Sequence, residues 1–161
     1  ALAEIGYPVR GWSRTPKEDL PSGVQGYAGE QELQEFLSGL DALICLLPLT
    51  SSTVGFLNAK NFTPLAQGAH LINVGRGEQQ VEADILAALD QGQLGFATLD
   101  VFEKEPLPAE HPFWQHAKVF VSPHIATRTA PSVIAAQTAS NYADAVNGQP
   151  LVNSVDVSQG Y

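Results

Sequence analysis

The run Asp41-Ala-Leu-Ile-Cys-Leu-Leu47 constrains the fold more than any other stretch of this chain. It is apolar almost throughout, is closed by Pro48, and lacks the in-out alternation of a strand with one wet face. That pattern predicts a parallel strand covered on both faces, and parallel strands require crossover connections, usually helices. The rest of the chain supplies them. Pro8 to Trp12 and Val24 to Ala28 read as short strands, and Glu30 to Leu40 as an amphipathic helix with Leu33, Phe36, Leu37 and Leu40 at helical spacing. Beyond Pro48 follow a short helical piece near Asn58 to Phe62, a strand His70 to Val74, and a helix Glu82 to Asp90 with Gly92 as its stop. A strand Leu94 to Asp100, a Pro-rich loop Glu105 to Pro112, a strand Val119 to Ser122 and a long helix Ser132 to Val146 complete the pattern. Strands alternating with helices at this spacing predict an α/β fold with a doubly wound, mostly parallel sheet.

The 161 residues suffice for one domain with a real core, and no linker or repeat divides them. Residues 130–161 form a C-terminal helix and tail of that single unit. Ala1 to Gly6 reads as the last turns of a helix ending at a C-terminal glycine, which suggests a chain cut inside an element. The formal charge of −9, from 8 Lys and Arg against 17 Asp and Glu, argues against nucleic acid as a partner, because no basic stripe offsets the acidic surface. No apolar run approaches the roughly 18 residues of a membrane span. The lone Cys45 lies among Leu43, Ile44, Leu46 and Leu47, so it reads as a buried small hydrophobe, and a cytoplasmic setting fits a chain without disulfides.

In a parallel sheet all carboxyl ends point one way, and open α/β sheets take their ligands at that edge. The strand ends at Ser13, Pro48, Arg76, Asp100 and His124 are therefore expected to line one edge. Arg76 lies in a Gly75-Arg-Gly77 corner where a strand hands over to a helix, and a guanidinium there offers a rigid fork for a carboxylate. Glu105 and His124 join it from the following loops. A carboxylate beside an imidazole favours the imidazolium, the usual way of keeping a proton donor charged near neutral pH. Ser13, Arg14 and Lys17 read as a polar loop or as an anion contact, and the hydroxyls of Leu49-Thr-Ser-Ser-Thr53 as helix caps or as phosphate and ribose contacts. His70, His111 and His116 read as structural or solvated.

Four segments in order, Leu71-Ile-Asn-Val-Gly-Arg-Gly77, Leu99-Asp-Val-Phe-Glu-Lys-Glu-Pro-Leu107, His111-Pro-Phe-Trp114 and Ser122-Pro-His-Ile-Ala126, resemble the D-isomer-specific 2-hydroxyacid dehydrogenases. Leu47-Pro-Leu-Thr50 with Thr53 matches the same pattern, and the resemblance covers most of the chain. It implies a Rossmann-type nucleotide-binding unit and reduction of a 2-oxo acid by hydride transfer. It further implies that Arg76 binds the substrate carboxylate and carbonyl. Glu105, rather than Glu103, would orient His124, the general acid in reduction. Cofactor contacts would come from Ser13, Arg14, Leu47, Pro48, Thr53, Val74, Gly75, Arg76, Asp100, His124 and Ala126.

NAD-selective proteins of this fold place an acid at the end of the second strand, whereas this strand ends Trp12-Ser-Arg14. NADPH is therefore the expected cofactor, in preference to NADH, with Lys17 aiding around the 2′-phosphate. Trp12-Ser-Arg14, His111-Pro-Phe-Trp114 and Pro150-Leu-Val-Asn153 look most like the glyoxylate and hydroxypyruvate reductase branch, which implies a small 2-oxo acid substrate and a homodimer. A dinucleotide-sensing corepressor without catalysis, and a phosphoglycerate or formate dehydrogenase, are readings compatible with the same residues. The family's Gly-rich turn and most of its substrate domain are not in these residues. The isolated chain is accordingly expected to bind cofactor poorly and turn over little.

Overall fold

A computed structural model describes residues 1–127 and 129–154, so the tail expected over 130–161 lies partly outside the described residues. The elements in order are β1 (Val9–Ser13), β2 (Val24–Ala28), α1 (Gly29–Leu37), β3 (Ala42–Cys45), α2 (Ala59–Phe62), β4 (Ala69–Asn73), α3 (Glu82–Asp90), β5 (Leu94–Leu99), β6 (Val119–Val121) and α4 (Pro131–Val146). Short 3₁₀ turns sit at Ala3–Ile5, Gly77–Gln79 and Pro112–Trp114. Every strand pair is parallel.

The strands form two sheets where the sequence suggested one: β1 with β2, and β3-β4-β5-β6 in that order. Trp12 of β1 stacks on Phe56, in the segment between β3 and α2, with ring centroids 5.6 Å apart. The helix over Glu30 to Leu40 is shorter than its apolar spacing suggested. It stops at Leu37 because Gly39 turns the chain with φ 68° and donates its N–H to the Pro64 carbonyl, tying the helix end to the loop before β4.

The core is one continuous cluster. Leu43 and Cys45 of β3, Leu71 of β4, and Leu94, Ala97 and Leu99 of β5 pack against Leu57, Phe62, Ile85, Leu89 and Phe113. The expectation that the Asp41 to Leu47 run is covered on both faces needs correction. β3 alternates between exposed and buried residues, and Ile44, Phe96 and Phe120 leave the opposite sheet face open. Its apolar composition reflects the residues chosen for both faces, whereas α2 and α3 cover only one. Cys45 is buried as expected, and burial pushes its thiol up.

The three histidines read as structural or solvated each have a side-chain partner. His70 Nε2 lies 2.9 Å from the Thr98 hydroxyl across β4 and β5, His116 pairs with Asp90, and His111 with Glu82. Among the described residues, no helix is long and apolar enough to cross a membrane. Leu71 is completely buried on the central strand β4. In the complete polypeptide Leu71→Ala is expected to cost about 3 kcal/mol, seen as a lower urea midpoint; an unchanged midpoint would show that this layer contributes little.

Candidate active site

The site begins where β4 runs out of sheet partners. Backbone groups freed at a strand end need other partners if they are buried, and here three buried amide side chains supply them. The Asn73 Oδ1 accepts from Gly75 N at 2.9 Å, while its Nδ2 donates to the Arg76 carbonyl at 3.2 Å and to Gln80 Oε1 at 3.1 Å. Gln80 in turn donates to the Val101 carbonyl beyond β5 at 3.1 Å. Gln79 accepts from Arg76 N at 2.8 Å and donates to the carbonyls of Leu47 and Pro48 beyond β3, at 2.9 and 3.2 Å. Asn73 and Gln79 are both fully buried. The network therefore ties together the carboxyl ends of β3, β4 and β5 and fixes the backbone on either side of Arg76.

Sequence reading missed these glutamines, since a Gly-Glu-Gln-Gln corner looks like any solvated turn. The available signal was spacing: a Gln three residues beyond a helix-start position can reach back to that residue's N–H, as Gln79 does. Two glycines make the corner possible. A Cβ on Gly77 would overlap the backbone of Phe102 and Glu103, and one on Gly75 would overlap Gln79 Oε1. Arg76 itself is exposed. One guanidinium nitrogen donates to the Gly75 carbonyl at 2.7 Å.

The close approach at Gly77 sets the corner directly against the segment that leads to Glu105. Phe102 N donates to Glu105 Oε1 at 3.0 Å, and Glu105 Oε2 lies 2.8 Å from His124 Nδ1. Glu105, not Glu103, thus reaches the imidazole. The pair is half-open to solvent, and the hydrogen bond with His124 is the main reason the Glu105 carboxyl sits below its ordinary value of 4.5.

His124 has φ 54°, a left-handed conformation uncommon outside glycine and one that surrounding structure must hold. Asp100 holds it. The Asp100 carboxylate accepts from Ser122 Oγ and from the backbone N–H groups of Ile125 and Ala126, both at 2.9 Å, while its carbonyl accepts from His124 N at 2.9 Å. Asp100 is only 2% exposed, so what its carboxylate grips is the His124 loop. Burial pushes this carboxyl up, but the three hydrogen bonds and the nearby His124 outweigh that and hold it below its ordinary 3.8.

Of the residues assigned to a cofactor, Arg76, Asp100, His124 and Ala126 belong to the corner and loop just described, and five others cluster at the other end of the edge. Ser13, Arg14, Lys17, Leu47, Pro48 and Thr53 line one cavity of about 640 Å³ between the two sheets. Lys60, which sequence reading did not single out, lines it too, so three of the chain's eight Lys and Arg residues converge on one recess of an acidic protein. The donor set suits a phosphorylated ligand. Two hydroxyls are engaged within the protein: Ser13 donates to the Thr15 carbonyl, and Thr53 donates to the Pro48 carbonyl while accepting from Thr50 N. Val74 and Gly75 lie on the partly buried and buried backbone leading to Arg76.

Residues 1–126 match the D-isomer specific 2-hydroxyacid dehydrogenase, NAD binding domain. The chain belongs to this family. Glyoxylate/hydroxypyruvate reductase A of Serratia proteamaculans (strain 568) is 49% identical over 160 residues, 99% of this chain and 50% of that protein. Its counterpart in Yersinia enterocolitica is 47% identical over the same shares. The chain thus spans about half the length of these curated relatives. A family member from Xanthobacter autotrophicus Py2, solved with NADPH and MES, superposes with a TM-score of 0.94 at 44% identity, covering 99% of this chain and 65% of that one. An NADPH-dependent glyoxylate/hydroxypyruvate reductase from Sinorhizobium meliloti, solved with NADP and sulfate, gives 0.93 at 42% identity, covering 99% and 51%.

Two outcomes are expected from this geometry. Gln79→Leu keeps the volume but leaves Arg76 N and the Leu47 and Pro48 carbonyls without their partner, a cost of about 3 kcal/mol in urea unfolding of the complete polypeptide. A stability within experimental error of the parent would show that the network is replaceable. The second outcome concerns acid. Asp100 and Glu105 have lowered values in the folded state, so the unfolded chain binds more protons as pH falls below 4.5 and then 3.8. The stability they contribute is present above those values and is lost as pH drops through the folded ones. Asp100→Asn is expected to flatten the acid side of a stability-versus-pH curve, and an unchanged slope would remove Asp100 from the account.

Proposed function

We propose that the complete polypeptide containing this chain reduces a small 2-oxo acid, glyoxylate or hydroxypyruvate, to the 2-hydroxy acid with NADPH. The observation that carries this reading is the 2.8 Å contact between His124 Nδ1 and Glu105, on the sheet edge that also presents Arg76. With Nδ1–H given to the carboxylate, Nε2 is the nitrogen left to exchange a proton. His124 then donates from Nε2 to the carbonyl oxygen as it gains charge, and Glu105 stabilises the imidazolium beforehand. Arg76 supplies two parallel N–H donors to the substrate carboxylate and polarises the adjacent carbonyl. When bound, the dinucleotide supplies the hydride that the carbonyl carbon receives.

The cation-lined cavity supports NADPH rather than NADH. Arg14, Lys17 and Lys60 line this space together with Glu30 of α1, and the end of β1 itself, Trp12-Ser-Arg14, carries no acid to pair a ribose 2′-hydroxyl. The relatives named above as NADPH-dependent or solved with NADP and NADPH agree with this choice.

Steady-state kinetics on the complete polypeptide test both parts. His124→Ala is expected to lower kcat for glyoxylate about 10³-fold, while NADPH still binds in a fluorescence titration. An unchanged rate would refute the proton-donor role, and NADPH binding without turnover in the parent would favour a dinucleotide sensor. Arg14→Ala is expected to raise the KM for NADPH by about tenfold and leave that for NADH nearly unchanged, as suits loss of one charge-assisted hydrogen bond. Equal effects on the two cofactors would detach Arg14 from the 2′-phosphate.

A further inference from the structure

Glu105 reaches His124 from a loop with no secondary structure of its own between Phe102 and the 3₁₀ turn at Pro112, so its position depends on how that loop is closed. One carboxylate outside the site closes it. Glu82, the first residue of α3, accepts from Glu103 N at 3.2 Å with Oε1, and its Oε2 lies 3.1 Å from His111 Nε2. Both ends of the segment 103–111 are thereby fastened to a single side chain. Glu82 and His111 are largely buried, at 17% and 18% side-chain exposure, so solvent screens the contact little.

The imidazole is oriented as well. His111 Nδ1 accepts from Phe113 N at 3.3 Å, which leaves the proton on Nε2, where it points to Glu82. A neutral ring suffices for this bridge. Inside the loop, His111 N and Trp114 Nε1 both donate to the Pro108 carbonyl, at 3.0 and 2.9 Å.

We propose that Glu82 is a positioning residue for the reaction: by clamping both ends of segment 103–111 it sets the place of Glu105 against His124. This rests on the function proposed above. Glu82 touches neither the His124 imidazole nor the cation-lined cavity, so it acts on proton transfer through Glu105 alone.

That route separates a positioning role from a merely structural one. In the complete polypeptide Glu82→Ala is expected to lower kcat about tenfold, with the KM for NADPH within about twofold of the parent, because misplacing one member of a catalytic pair affects the chemical step first. Glu82→Gln, which keeps one acceptor oxygen, should fall between parent and Glu82→Ala, and it serves if the alanine variant does not fold. In a Glu105→Ala background the Glu82 substitution should have no further effect on kcat. Equal losses in both backgrounds, or an unchanged kcat in the single variant, would overturn the proposal. A parent that fails to reduce glyoxylate or hydroxypyruvate would instead overturn the function reading. In that event the proton shared by His124 Nδ1 and Glu105, followed by NMR of histidine-labelled protein, still decides: its loss in Glu82→Ala supports the clamp, and its retention refutes it.

Discussion

Where parallel strands stop pairing, their last N–H and carbonyl groups lose partners while the side chains beneath them stay buried, and the whole carboxyl edge depends on how that shortage is met. Water cannot meet it over a closed core. Here Asn73, Gln79 and Gln80 do so with amide side chains, which both donate and accept and can therefore bridge carbonyls of one strand to N–H groups of the next. No buried side-chain nitrogen or oxygen lacks a partner among the described residues. A network satisfied to that degree specifies one arrangement, because any shift of the Arg76 corner breaks several bonds together. The exposed guanidinium stands on a fixed base, and its mobility is confined to its own side chain.

The two carboxylates near His124 divide the work of placing it. Asp100 is buried and grips backbone, which stabilises the left-handed turn against its conformational cost of about 1–3 kcal/mol. Glu105 is half-exposed and grips the ring. A buried anion with three donors suits a structural hold, because its charge is already balanced by hydrogen bonds. A half-exposed anion suits the proton-donor role proposed for its partner, since a change of charge there would not be made in a medium that penalises it heavily. The backbone conformation and the ring orientation of one histidine are thus set by two different carboxylates, both in the segment after β5.

Much of the fold was legible in the sequence because it is local. α3 spans Glu82 to Asp90 as its apolar spacing and Gly92 indicate, and β2 occupies Val24 to Ala28 as read. Residues at strand ends were legible for the same reason: once strands are parallel, Arg76, Asp100 and His124 must share an edge. What could not be read was pairing between distant segments. Nothing in Gly75-Arg-Gly-Glu-Gln-Gln80 distinguishes a buried glutamine from a solvated one until β3 supplies the Leu47 and Pro48 carbonyls. Lys60 looks like a surface lysine of a short helix until the loop after β1 faces it. The open face of β3 is likewise a matter of which helices arrive, and an apolar run is silent on that.

Charge is distributed unevenly along this edge, and the distribution bears on the proposed chemistry. Arg14, Lys17 and Lys60 gather at the end near β1, whereas Asp100 and Glu105 gather with His124 at the end near β6. The proposed dinucleotide would be drawn by its phosphates to the first end and repelled from the second, which would orient it before any base or ring is recognised. Arg76 lies past the end of β4, outside both clusters. Moving a positive charge into the acidic end would weaken the His124–Glu105 pair, and moving a negative one into the basic end would weaken phosphate binding. Under the function proposed above, this division of charge would let one edge take a large anion and a small one in an acidic protein without either site recruiting the wrong ligand.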